Sequence, residues 1–151
     1  VIMKNFKPKT FYHDIQERDV DAMDKVDLYI SGFLCQPFSL AGYRQGFLDQ
    51  KGPGTIVNSG IKYIEQKRPK IFVLENVKGF AMLNGGKYGR QVVQALEGIQ
   101  KKNSCPAYAV HHHIINTSDH GIPHHRQRWY CVGFLLRAHP EGKIYSSFQN
   151  L

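Results

Sequence analysis

Cysteine is scarce in this sequence. Cys35, Cys105 and Cys131 are the three in 151 residues, and no two form a CxxC pair. That excludes a disulfide framework and makes a reducing compartment the expectation. No apolar run approaches the roughly 18 residues that suggest a membrane span. The opening Val1-Ile2-Met3-Lys4 lacks the apolar stretch of a secretory signal. Neither a membrane partner nor secretion is therefore expected. There is no internal repeat and no low-complexity tract. Acidic residues are outnumbered, with 12 Asp+Glu against 20 Lys+Arg, which leaves a formal net charge of +8. Such a balance favours polyanionic partners, because neutralising phosphates releases counterions.

What remains is an ordinary globular composition, 42% hydrophobic over 151 residues, enough for one domain with a core. Short apolar runs alternate with helical periodicity. Residues 26–32 (VDLYISG), 70–74 (KIFVL), 108–115 and 129–136 read as strands. Residues 55–66 carry Ile56, Ile61 and Ile64 at helical spacing, and residues 90–102 place Val93, Leu96 and Ile99 on one helical face. This order predicts an α/β domain with a mostly parallel sheet and right-handed crossovers. Chemistry in such sheets gathers at the carboxyl ends of the strands, which singles out residues 32–42, 75–79 and 119–128.

Each segment offers chemistry and a plainer alternative. In GFLCQPFS, Cys35 follows a strand and precedes Gln36-Pro37, so a rigid turn holds it. It is either a small buried side chain or a nucleophile whose thiolate a basic loop supports. Glu75, in Leu74-Glu75-Asn76-Val77, ends an apolar run. It either caps the next helix or pairs with a lysine, or it sits in a dry cleft and shares a proton with a substrate nitrogen. Arg126 and Arg128 alternate in an extended segment, which would aim both guanidinium groups to one side as a fork for a phosphate or carbonyl oxygen. The alternative is a solvated basic turn.

The order of the three segments resembles the cytosine-5 DNA methyltransferase family. GFLCQPFSLAG (32–42) is similar to its nucleophile motif, RPKIFVLENVKGF (68–80) to its Glu-Asn-Val motif, and DHGIPHHRQRWYCVGF (119–134) to its Gln-x-Arg-x-Arg motif and following strand. The resemblance covers most of the chain. It implies a Rossmann-like S-adenosylmethionine-dependent fold, with helices flanking the sheet and the first strands missing. It also implies a reaction: methyl transfer from S-adenosylmethionine to carbon 5 of a cytosine flipped out of double-stranded DNA. In that scheme Cys35 adds to carbon 6 and Glu75 holds the proton at ring nitrogen 3. Arg128 binds the ring carbonyl, Arg126 orients neighbouring groups, and Asn76 braces the nucleophile loop. Ser39 touches the backbone phosphate, and Gln36 joins it in binding substrate. Asp14-Ile15 resembles the cofactor strand-end motif, whose acid bonds the adenine amino group; a surface Asp is the alternative. Leu34 adjoins the cofactor where the family usually has Pro. The cell compartment would be prokaryotic or viral cytoplasm, or the eukaryotic nucleus.

Other features depart from the pattern. His124 replaces the usual Gln. His111-His112-His113 invites a zinc reading, but strand neighbours point to opposite faces and no CxxC completes a site, so no metal is expected. The Gly-rich cofactor loop and the target-recognition region have no counterpart. Residues 1–151 are thus predicted to be a partial catalytic domain: a fragment, a truncated product, or one piece of a split enzyme whose second chain supplies the rest. Weak cofactor binding and no activity are expected of it alone. Three other readings compete. A tRNA cytosine-5 methyltransferase keeps the chemistry and changes the polymer to RNA. A non-catalytic nucleic-acid-binding remnant conflicts with the presence of Cys35, Glu75, Arg126 and Arg128. A Cys–His hydrolase leaves Glu75-Asn76 and the paired arginines unexplained.

Overall fold

The computed structural model describes residues 2–33, 54–101 and 104–136. A short helix α1 (Ile2–Asn5) precedes strand β1 (Leu28–Gly32), helix α2 (Gly54–Lys67), strand β2 (Ile71–Val77) and helix α3 (Lys78–Glu97). Strand β3 (Tyr108–Asn116), a 3-10 turn (Thr117–His120) and strand β4 (Gln127–Leu135) complete the order. The strands form one sheet, β1-β2-β4-β3, in which β1 and β2 are parallel and β4 is antiparallel to both its neighbours. β1, β2 and β3 therefore run the same way and β4 alone is reversed. The α/β class and the prevailing strand direction agree with the sequence, but two of the three hydrogen-bonded pairings are antiparallel. The cause is the length of the last connection. Residues 117–126 are too few for a parallel crossover, which takes about a dozen or more, so the chain turns back and pairs beside β2 and β3.

This topology fixes where chemistry can gather. The carboxyl ends of β1, β2 and β3 and the amino end of β4 share one edge of the sheet. At that edge Gly32 is opposite Glu75, Val77 is opposite Arg128, and Asn116 is opposite Gln127.

The core lies on one face of the sheet. Phe72 and Leu74 alternate inward along β2, and Trp129 and Cys131 along β4. Val57 and Ile64 of α2 and Phe80, Val92, Val93 and Leu96 of α3 pack over them. Burying each large apolar side chain contributes about 1.5–3 kcal/mol, so this one layer carries most of the stability. The alternation continues on the other face, where Leu28 and Ile30 are exposed. No helix among the described residues is long and apolar enough to cross a membrane.

Two elements differ from the sequence expectation. β2 continues through Glu75, Asn76 and Val77, residues beyond the apolar run. Strands on both sides and a satisfied Asn76 amide keep it extended against the poor strand propensity of Glu and Asn. α3 begins twelve residues before the expected start at Arg90 and ends at Glu97 rather than Lys102. Within α3, the backbone at Asn84, Gly85 and Gly86 departs from ordinary helical angles. All three have positive φ (51°, 64° and 80°), which the two glycines adopt freely and asparagine more readily than most side chains. Arg90 Nη1 steadies that stretch by donating to the Gly85 carbonyl at 2.6 Å. At the other end Gly98 caps the helix, its N–H bonding Gln94 O at 2.9 Å. Ile99 then turns into the core, 3% exposed.

Candidate active site

Glu75 lies inside β2, on the face opposite Phe72 and Leu74. Its Oε1 is 3.1 Å from Arg128 Nε. The two side chains are only 29% and 24% exposed, so water screens the pair partially. They are diagonal neighbours: Tyr130 is directly opposite Glu75, and Arg128 is opposite Val77 on the same face. Arg128 Nη1 also donates to the Gln127 carbonyl at 2.8 Å. On the other flank stands Gly32, where a Cβ would lie 3.3 Å from Glu75 Oε2. The carboxyl group thus fits between a bare stretch of backbone and a guanidinium. Glu75 does not cap the next helix, and it makes an ion pair, though not with a lysine. The N-cap of α3 is Val77, with no side-chain cap bond, and the partner of Glu75 is an arginine rather than a lysine.

Asn76 points the other way and is 2% exposed. Its Nδ2 donates to the Phe33 carbonyl at 3.2 Å, and its Oδ1 accepts from Val77 N–H at 2.8 Å. Phe33 immediately precedes Leu34, Cys35, Gln36 and Ser39, all four of which lie outside the described residues. The same three chain segments meet again in the core. Phe33 packs edge-on against Phe80 with ring centroids 5.1 Å apart, and Phe80 packs on Trp129 at 5.1 Å. Each chemically loaded segment therefore carries its own aromatic anchor. Such contacts add about 0.5–1.5 kcal/mol each beyond area burial.

The third segment is only partly what its alternation suggested. Arg128 is inside β4 and reaches Glu75. Arg126 precedes β4, is exposed, and makes no side-chain hydrogen bond among the described residues. Its backbone is held, since Thr117 N–H donates to the Arg126 carbonyl at 3.2 Å. Thr117 Oγ1 donates to the His124 carbonyl. Asn116, 8% exposed, sets its Nδ2 2.5 Å from Ser118 Oγ and 3.1 Å from His125 Nδ1. Lys78 Nζ donates to Gln127 Oε1 at 2.8 Å. The sequence reading missed Asn116, Lys78 and Gln127. The Asn-Thr-Ser-Asp run after the apolar strand was the available signal, because short polar side chains of this kind bond nearby turns.

Asp14 is exposed, and its Oδ1 accepts from Gln16 N–H at 2.8 Å, which closes a local turn. Arg18 ties that segment to the domain. Its Nη2 lies 3.5 Å from Tyr29 Oη and 3.4 Å from the Ser59 carbonyl, and its guanidinium sits over the Tyr63 ring at 5.4 Å. The outward Asp14 carboxylate can accept from an amino group, and the half-buried Ile15 beside it offers an apolar surface. His111 lies near Phe134 and His112 near Trp129, on opposite faces of β3. No group of three His, Cys, Asp or Glu among the described residues is placed to hold a metal.

The family model for C-5 cytosine-specific DNA methylase matches residues 2–150. The type II methyltransferase M.Bsp6I of Bacillus sp. (strain RFL6) is 36% identical over 136 residues, covering 89% of this chain and 41% of the relative. M.HaeII of Haemophilus aegyptius is 36% identical over 137 residues, 91% of this chain and 40% of the relative. The chain thus spans about two fifths of the length of these relatives. Among solved structures, the Entamoeba histolytica methyltransferase EhMeth superposes with a TM-score of 0.62 at 19% identity, covering 97% of this chain and 44% of that one. S. pombe Dnmt2 gives 0.55 at 22% identity, covering 83% and 36%. These two likenesses show the methyltransferase fold, and the sequence matches show the lineage: the chain belongs to the C-5 cytosine-specific DNA methylase family.

Proposed function

We propose that the chain is a catalytic segment of a DNA cytosine-5 methyltransferase. The observation that carries this reading is the Glu75–Arg128 pair, set on the sheet edge beside the Asn76 bond to the Phe33 carbonyl. Those contacts join three motif segments into one place, and the chemistry of each side chain suits a cytosine ring.

Cytosine carbon 5 is a poor nucleophile until a group adds at carbon 6. The Cys35 thiolate adds there, and the ring electrons move onto the carbon 5 and nitrogen 3 side. Glu75 delivers a proton to nitrogen 3 as the charge develops, and Arg128 stabilises the carboxylate left behind. Arg128 also has guanidinium N–H groups to spare for the ring carbonyl oxygen, since Glu75 occupies Nε and Gln127 occupies Nη1. When bound, S-adenosylmethionine supplies the methyl group that carbon 5 takes. Loss of the carbon 5 proton to water, departure of the Cys35 thiolate and return of the nitrogen 3 proton to the Glu75 carboxylate restore the aromatic ring. Asn76 holds the backbone just before Cys35, and Arg126, exposed, is available to neighbouring groups of the substrate. Gln36 and Ser39 serve the substrate strand, Leu34 adjoins the cofactor, and Asp14 with Ile15 receives the adenine end. A flipped base is required, because the target atoms are inaccessible within a stacked duplex. A DNA substrate places the enzyme in whichever compartment holds the DNA.

The test is methyl transfer by the full-length protein from labelled S-adenosylmethionine, with duplex DNA and tRNA offered separately. Label in 5-methylcytosine of DNA, lost in Cys35→Ser, is the expected result. Label in tRNA alone would move the reading to RNA, and label in neither would end it. Gly32→Ala supplies a finer check. The added methyl crowds Glu75 Oε2, so the carboxyl group must shift by a few tenths of an ångström. A fall of about 10-fold in kcat, with thermal stability nearly unchanged, is expected from such misplacement. Unaltered kcat would mean that the position of Glu75 is not critical.

A further inference from the structure

The hydrogen-bonded ladder between β2 and β4 ends at the Val77–Arg128 rung. One residue further on, Lys78 Nζ donates to Gln127 Oε1 at 2.8 Å, and both side chains are partly buried. Because strand neighbours alternate, Gln127 shares its face with the buried Trp129, while Arg128 projects to the other face toward Glu75. The same two segments are thus clamped on both faces: by Glu75–Arg128 on one, and by Lys78–Gln127 on the other. Gln127 also separates the two arginines, and among the described residues its neighbour Arg126 has only the Thr117 backbone bond to hold it. Lys78 opens α3, and no acidic residue stands in that first turn. A cation there gains nothing from the helix dipole, which favours negative charge at this end. Helix formation does not account for it; the bond to Gln127 does.

We propose that Lys78 and Gln127 act as a positioning pair that fixes the start of β4, and with it the placement of Arg126 and Arg128 against Glu75. The proposal rests on the catalytic reading above, and it makes Lys78 a positioning residue acting through Gln127 rather than a contact to the nucleic acid. Neither residue touches substrate. Together they set how accurately the guanidinium groups present themselves, which governs rate more than affinity.

A double-mutant cycle separates the two roles for Lys78. In the full-length enzyme, Lys78→Met and Gln127→Leu are each expected to lower kcat about 10-fold with KM for DNA changed less than about 2-fold, and the double variant to be no worse than either alone. Lys78→Arg, which can still donate to Gln127, is expected to recover most of the loss. The second readout needs no activity. In the same protein, the Arg128 Nε–H resonance is expected to shift in both single variants. The proposal is overturned if Lys78→Met raises KM and weakens the salt dependence of DNA binding while Gln127→Leu is silent, since that pattern marks a phosphate contact. It is equally overturned if the Arg128 resonance is unmoved in both variants. Absence of methyl transfer by the wild-type enzyme would defeat the catalytic reading alone, and the resonance would still decide the positioning pair.

Discussion

Gly133→Ala is expected to lower the melting temperature by about 6–12 °C, and Gly133→Val to prevent folding. Gly133 is directly opposite Phe72 on the neighbouring strand, and the phenyl ring is close against it. A Cβ there would stand 2.0 Å from Phe72 Cε1 and 2.1 Å from Cζ. Phe72 is completely buried beneath the helices, so its ring has no open space to enter. Overpacking of this kind costs about 3 kcal/mol or somewhat more. A domain of this size has roughly 5–15 kcal/mol in hand, and each kcal/mol moves its midpoint by about 2–4 °C. Thermal unfolding followed by circular dichroism checks the figure. Phe72→Leu in the Gly133→Ala background should recover part of the loss, because the two positions share one space. A midpoint within about 2 °C of wild type would mean that β2 and β4 are not paired in this register.

Glu75→Gln is expected to reduce kcat by about 10²- to 10⁴-fold, the usual range for losing a positioned acid. The amide keeps the size of the side chain and its place between Gly32 and Arg128. It can accept a hydrogen bond from the guanidinium, yet it cannot give up a proton to nitrogen 3. Because Glu75 is partly exposed and outside the packed core, stability should change little. Single-turnover methyl transfer measures the chemical step, and a KM close to wild type would locate the defect there. A rate within about 2-fold of wild type would remove Glu75 from the chemistry.

Much of this arrangement was legible in the residues, for identifiable reasons. The strands were visible because their apolar residues are local and continuous, as in KIFVL. The edge on which chemistry gathers followed from topology, while a shared site for Glu75 and Arg128 was implied by the family resemblance. Asn76 bonds the Phe33 carbonyl, while the loop that the resemblance had it brace lies outside the described residues. What the sequence hid was the start of α3. Lys78–Leu83 carries no helical stripe strong enough to outweigh the following Asn84-Gly85-Gly86, and only packing of Phe80 against Trp129 and Phe33 makes that limb worthwhile. The antiparallel β4 was hidden in the length of a loop rather than in any residue's propensity. The difference between Arg126 and Arg128 was hidden because alternation assumes an extended strand, and β4 begins only at Gln127. Lys78–Gln127 joins positions far apart in the chain, which no local pattern reveals.

The central claim is that Cys35 forms a bond to cytosine carbon 6, and one trapping experiment meets it directly. The full-length enzyme is incubated with S-adenosylmethionine and duplex DNA carrying 5-fluorocytosine in its target site, then denatured and resolved by electrophoresis. Once carbon 5 has taken the methyl group, it carries fluorine and no proton, so the final elimination cannot occur and the thioether persists. A covalent protein–DNA band is expected, with peptide mapping placing the link at Cys35. Cys35→Ser should abolish the band, because a serine hydroxyl is hardly ionised near neutral pH. Cys105→Ser and Cys131→Ala should retain it. Cys131 is wholly enclosed, and burial, with a smaller contribution from the charge of Glu97, pushes its thiol up to about 12, far from the thiolate form at neutral pH. A band that survives in Cys35→Ser, or a link mapped to Cys105 or Cys131, would contradict the account.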